Sequence, residues 1–241
     1  MTRVPTYYLP WLARPGLECA LVLSNVEARF KVGYNEGPYP VVVRQYDADG
    51  ALARAHDLTL RDATDVVELP LEAARGGCGI VTVAGERLHS DLYVTVSDGE
   101  SYSATHGRGE WIERYPAAAR LVHGVLGPAL AMAGRTVPAF ERDQYAYAGA
   151  DSRSHLLFMN LSNITNRVRV VATRESVSAG PQVLAIPPLG ARLLDVTALV
   201  GASEETRVWR LHVTGNAWFN FYVVGAGPRD LAGPLSLMHV K

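Results

Sequence analysis

Leu157-Phe158-Met159-Asn160-Leu161-Ser162-Asn163 is an apolar run that closes on Leu-Ser-Asn, and the same closure follows Ala20-Leu21-Val22 as Leu23-Ser24-Asn25. The two closures lie 138 residues apart. Val4-Pro5 returns as Val137-Pro138, and Ser103-Ala104-Thr105-His106 returns as Ser236-Leu237-Met238-His239, both 133 residues on. Val81-Thr82-Val83-Ala84-Gly85 returns as Leu211-His212-Val213-Thr214-Gly215, 130 residues on. Four ordered matches at one near-constant spacing indicate a tandem duplication. Asn25 and Asn163 each follow an apolar strand, where the side chain satisfies backbone groups as the chain turns. The repeat therefore marks architecture, and function is expected where the copies differ: the 33–40 loop, the linker, and His212 against Thr82.

Outward from these runs the pattern is strand and turn. Val168, Val170 and Ala172 alternate with Arg167, Arg169 and Thr173, which predicts one buried and one wet face. Trp209, Leu211 and Val213 share one face of the 208–214 segment, and Arg210, His212 and Thr214 share the other. In the first copy, residues 41–46 form a β-branched run that ends in the turn sequence Asp47-Ala48-Asp49-Gly50. Short segments at 66–69, 80–84 and 92–96 continue the pattern, and Arg29-Phe30-Lys31-Val32 alternates as a strand would. Pro5, Pro10 and Pro15 confine any strand in the first segment to a sheet edge. In the 217–224 run, the rings of Trp218, Phe219, Phe221 and Tyr222 are expected to alternate into a core, and any ring left outside would point to oligomerisation.

These signals predict an all-β chain: two tandem antiparallel β-sandwich domains, 1–108 and 134–241, joined by an Ala/Leu-rich, partly helical linker at 109–133. The linker is broken by Gly124, Gly127 and Pro128, which predicts one or two short helical turns starting near Pro116. Being apolar, it should pack against the sandwiches.

With 23 basic and 24 acidic residues, the formal net charge is -1, which provides no whole-chain footprint for nucleic acid. No apolar run approaches the roughly 18 residues needed to span a membrane, so no membrane insertion is expected. The N-terminal sequence lacks a signal-peptide pattern, and a cytoplasmic location is the expectation. Cys19 and Cys78 each open an apolar run and are expected to be small buried hydrophobes.

No catalytic constellation, metal site or cofactor site emerges: there is no Gly-x-Ser-x-Gly elbow, HExxH or CxxC. His106 and His239 occupy matching positions in the closing strands, with Asp98 and Asp230 upstream, where an aspartate could orient an imidazole. Inheritance of a duplicated structural strand is the plainer explanation. Tyr34, Asn35, Glu36 and Tyr39 sit on the 33–40 loop, where aromatic and polar groups suit a ligand or partner, although pinning the loop to the sandwich is the plainer role for Tyr34 and Tyr39. Trp111, at the exit of the first domain, and His212, on a polar strand face, are further ligand- or partner-binding candidates; plugging the interdomain junction is the plainer role for Trp111, and a surface or interface position for His212.

The strand ending in Leu161-Ser162-Asn163, the 184–196 segment with Pro187 and a later Leu194-Asp195, and a final strand after a polar loop at 227–240 together resemble the sensory rhodopsin transducer family of small soluble β-sandwich proteins. That resemblance implies a non-catalytic, oligomeric binding or signalling module and names no rhodopsin partner. The expected function is accordingly a binding, signalling or assembly module that forms a homo-oligomer and takes a protein partner, small ligand or glycan. A carbohydrate-binding or carbohydrate-active protein is the first alternative, and a metal-dependent enzyme built on His106 and His239 at the interdomain face is the second.

Overall fold

The computed structural model describes residues 6–33, 36–89, 92–228 and 230–240; for 108, 230 and 232–234 it describes the backbone alone. The first half carries β1 (Thr6–Leu12), β2 (Glu18–Ser24), a 3₁₀ turn (Val26–Phe30), β3 (Tyr39–Tyr46), β4 (Leu52–Leu60), β5 (Val66–Pro70), β6 (Cys78–Ala84), β7 (Tyr93–Ser97), β8 (Tyr102–His106) and β9 (Arg108–Glu110). After helix α1 (Ala117–Met132) come β10 (Phe140–Ala148), β11 (Arg153–Asn160), β12 (Asn166–Arg174), β13 (Val177–Ile186) and β14 (Ala191–Asp195). The short helix α2 (Val196–Val200), β15 (Arg207–Gly215), β16 (Phe219–Gly227) and β17 (Asp230–His239) complete the chain.

The fold is all-β, built of four antiparallel sheets. In the first half the orders are β4-β3-β6-β1-β9 and β5-β2-β7-β8. In the second they are β13-β12-β15-β10 and β14-β11-β16-β17. Renumbered from the start of each half, the two sets of eight strands have the same order, and β9 is the addition to the first.

The ladders refine the match between halves. Val22 lies opposite Tyr93, which lies opposite His106; Leu157 lies opposite Tyr222, which lies opposite His239. Counted from the histidines, Val22 corresponds to Leu157 and Asn25 to Asn160, so Asn163 falls three residues further on, past the end of β11. The inward residues agree with this register: Leu21 and Leu23 enter one core, Leu156 and Phe158 the other. Asn25 donates to the Arg87 carbonyl and accepts from the His89 amide, tying the β6–β7 loop to the end of β2. Asn160 closes its own turn, donating to the carbonyls of Ile164 and Ile186 and accepting from the Ser162 amide and hydroxyl. Both asparagines thus satisfy backbone groups that burial would otherwise leave without water.

The continuous apolar sequence of β11 and β16 has a specific cause, which is burial on both faces. Leu156, Phe158, Leu194, Phe221 and Val223 enter a core shared with β12 and β15. Leu157, Met159, Ala191, Tyr222 and Val224 enter the core of the first half. Tyr222, an outward ring on its own sheet, is thereby covered within the chain. The sheet that receives this face is β4-β3-β6-β1-β9. Val81 and Val83 are buried on one face of β6, and Ile80 and Thr82 on the other. At one end the β3–β4 turn meets β14: the Ala191 amide donates to the Ala48 carbonyl at 3.0 Å, and Arg192 Nη2 reaches Asp49 Oδ1 at 2.9 Å. At the other end β17 runs alongside β8, and the Leu237 amide donates to Ser103 Oγ at 3.0 Å.

Some sequence expectations change. β1 is an internal strand, yet β9 pairs only with Thr6–Tyr8, so Pro10 lies beyond β9 with β6 as its one partner. A missing N–H is tolerated there for the same reason as at an edge. Arg29 and Phe30 end the 3₁₀ turn and Lys31 and Val32 follow it, all four exposed, so the alternation carries no buried face. The linker forms one 16-residue helix that runs through Gly124, Gly127 and Pro128, with Pro116 in the N-cap position. It also leaves most of its apolar side chains in water.

Candidate functional site

Gly107 lies between β8 and β9 and turns the chain from one sheet to the other. A Cβ there would lie 2.3 Å from Leu9 Cγ, so the close crossing needs glycine. β9 then pairs with β1, which sets Glu110 on the same face as Thr6 and Tyr8, the face toward the second half. The next residues, Trp111-Ile112-Glu113, reach across. The Glu113 amide donates to the Leu161 carbonyl at 2.9 Å, and the Asn163 amide donates to the Glu113 carbonyl at 3.1 Å. Asn163 then brackets Tyr115, accepting from its amide at 2.8 Å and donating to its carbonyl at 3.2 Å. The second Leu-Ser-Asn therefore anchors the linker, a task the first copy does not have.

This crossing opens a cleft of roughly 560 Å³ lined by Glu110, Trp111, Ile112, Glu113, Phe140 and Trp218, together with Gly109. Trp218 is held from several sides. Its indole N–H donates to Glu110 Oε2 at 3.2 Å and its amide to Glu113 Oε2 at 3.1 Å. Phe140 meets its ring edge-on, centroids 5.3 Å apart, and the Arg142 guanidinium lies 5.6 Å from the ring centre. Glu110 Oε1 also accepts from Asn220 at 2.6 Å, and Glu113 Oε2 from the Tyr115 hydroxyl at 2.7 Å. Burial, with the Glu113 carboxylate adding to it, pushes the Tyr115 phenol above the ordinary tyrosine value. Against this fixed wall Trp111 is 51% exposed. The site pairs one rigid ring with one accessible ring, and its carboxylates are spent largely on holding the rigid one.

The other candidates fall in separate places. His106 and His239 do come together, ring centroids 6.0 Å apart and edge-on, with Tyr222 at 4.9 Å from His239. Asp98 takes no part: its Oδ1 accepts from the amides of Glu100 and Ser101 and from the Ser101 hydroxyl, closing the β7–β8 turn. Those hydrogen bonds hold its carboxyl below the ordinary aspartate range. The side chain of Asp230 lies outside the described residues, as do Tyr34 and Asn35. Among the described residues, no group of three or more His, Cys, Asp or Glu is placed to hold a metal ion.

Tyr39 begins β3 and is buried in the core, so its ring pins the loop and offers no exposed surface. Glu36 is exposed, and its carbonyl accepts from Arg87. His212 lies on the open face of β15, with Nδ1 3.2 Å from Asp143 Oδ1 beside the Arg210–Asp143 pair. Cys19 and Cys78 are buried free thiols, and burial pushes them up to about 12 and about 11 respectively. Glu110, Glu113 and Phe140 were not legible as site residues. The one sequence cue is that Glu110 and Glu113 flank the single tryptophan at the domain exit.

The fold and cleft define a two-sandwich β-protein with an aromatic site at its junction. No protein-family model matches the chain, and no curated protein matches it in sequence.

Proposed function

We propose that the protein is a non-catalytic binding module and that the cleft between Trp111 and Trp218 takes the ligand. The observation that carries this reading is the half-exposed Trp111 opposite a tryptophan fixed by two carboxylates. Concave, largely apolar sites with a few placed polar groups are the usual form of a small-ligand pocket. Both oxygens of Glu110 and one of Glu113 already accept hydrogen bonds, which suits positioning better than proton transfer. The resemblance to the transducer family points the same way. Tandem duplication is supported by the common strand order and by the matching ladders. A reducing, cytoplasmic setting agrees with two free thiols.

The carbohydrate reading shares this site, since aromatic rings stack on the apolar faces of sugars and carboxylates accept hydroxyl groups. A saccharide and metabolite screen read by tryptophan fluorescence and thermal shift tests both. The expected result is a ligand whose affinity falls about tenfold or more in Trp111→Ala, about 1.4 kcal/mol, with the melting temperature of the free protein unchanged. Ligands bound equally by wild type and Trp111→Ala would remove the cleft from consideration. A turnover abolished by His106→Ala or His239→Ala would overturn the non-catalytic reading.

A further inference from the structure

Helix α1 is amphipathic in the reverse sense. Its inward side meets polar groups. Arg167 Nη1 donates to the His123 carbonyl at 3.3 Å, Asn216 Nδ2 lies 3.1 Å from His123 Nδ1, and a Cβ on Gly127 would fall 2.5 Å from Arg167 Nη1. Arg169 Nε donates to the Gly134 carbonyl at 2.9 Å just past the helix. The outward side, at 3.6 residues per turn, carries Ala118, Leu121, Val122, Val125, Ala129 and Met132. Leu121, Val125 and Met132 are 68%, 65% and 85% exposed. Arg120 is the one charged residue of the helix, and it lies toward the flank of the inward side. Ordinary surface helices bury the apolar stripe and wet the polar one.

We propose that this face docks against the same face of a second copy of the chain, the two helices antiparallel about a twofold axis at Val125. The sequence is complementary to itself in that arrangement. Residues whose numbers sum to twice 125 then meet: Ala118 lies opposite Met132, Leu121 opposite Ala129, and Val122 opposite Pro128. Large thus meets small along the seam, and a charge-free face brings no like charges together. An isologous contact requires such self-complementarity. The exposed side chains present on the order of 500 Å² of apolar surface, near the top of the range for a monomer's largest patch. Two such faces bury about 1,000 Å², which reaches the lower bound for a specific interface. A membrane surface fits less well, because interfacial helices carry Lys and Arg along their polar side.

Two measurements on the full chain test this. By light scattering after size exclusion, wild type should be a dimer and Val125→Glu a monomer with unchanged circular dichroism. Under mild oxidation, Val125→Cys should form a disulfide-linked dimer by itself. Ala118→Cys should couple to Met132→Cys in a mixture and far less to itself. The native Cys19 and Cys78 are buried and should not compete. A wild type that stays monomeric at high micromolar concentration would overturn the proposal. So would a dimer unaffected by Val125→Glu, or a monomeric wild type that co-sediments with lipid vesicles.

Discussion

Corresponding faces of the two halves have opposite fates. On the first, Thr82 pairs with Tyr8 and Ile80 with Pro10, and all four are buried. At the matching ladder positions of the second, His212 pairs with Asp143 and Arg210 with Tyr145; there Asp143, Tyr145 and Arg210 are exposed and His212 is partly so. Strand order and register are the same, so topology does not decide which face is covered. Side-chain chemistry matches the outcome. Thr, Tyr, Pro and Ile accept an apolar neighbour, whereas Asp143 bonded to Arg210 and His212 would need costly desolvation. A parallel contrast holds for the partner sheets. Val22 is half-buried on the outer face of the β5-β2-β7-β8 sheet, while its counterpart Leu157 is wholly buried at the junction.

The largest expected effect tests that last pair. Leu157→Asp places a charge at the junction and should cost about 3 kcal/mol or more in chemical denaturation, whereas Val22→Asp should cost about 1 kcal/mol or less. Equal losses would break the comparison. A smaller effect concerns the thiols. Both stay protonated near neutral pH because burial disfavours the thiolate, so native labelling by a disulfide reagent should be slow. Cys78 borders the junction beside Ala191 and Arg192, while Cys19 enters the first core. A variant that loosens the junction should therefore label at Cys78 before Cys19; the reverse order would place the weak point inside the sandwich.

The smallest effect is on the open face. Arg210 first, then His212, holds the Asp143 carboxyl below its ordinary range. A depressed folded value means that the stabilisation is present above the unfolded aspartate value and is lost as pH falls through the folded one. Carboxyl chemical shifts should show that low titration, and Arg210→Ala should raise it. Because the group is exposed, the melting temperature should barely move.

Sequence alone was informative wherever one face was wet. The alternation in β12 and β15 gave the correct strands and the correct inward residues, because period two is visible only when the two faces differ. In β11 and β16 that contrast vanished, since one side faces its own core and the other faces the neighbouring half. The ring of Tyr222 read as a choice between core and oligomer, and the covering surface came from 100 residues and more away in the chain. The linker misled for the opposite reason: its apolar composition predicted packing, and α1 instead turns Leu121, Val125 and Met132 outward. Glu110 and Glu113 were hidden because their role depends on Trp218, which local pattern cannot place beside them.

Joining unlike faces has a consequence for growth. Each half offers one sheet as a socket and the other as a plug, and here the plug of the second half fills the socket of the first. Where such head-to-tail contacts do not close into a ring, a third unit could in principle be added, then a fourth, into a fibre. The remaining socket is the face that carries Asp143, Arg210 and His212. Its charges suit that face to the end of a stack, as the polar outer faces of terminal repeats do, and the His123 and Gly134 carbonyls bring the linker over its Arg167 and Arg169 end.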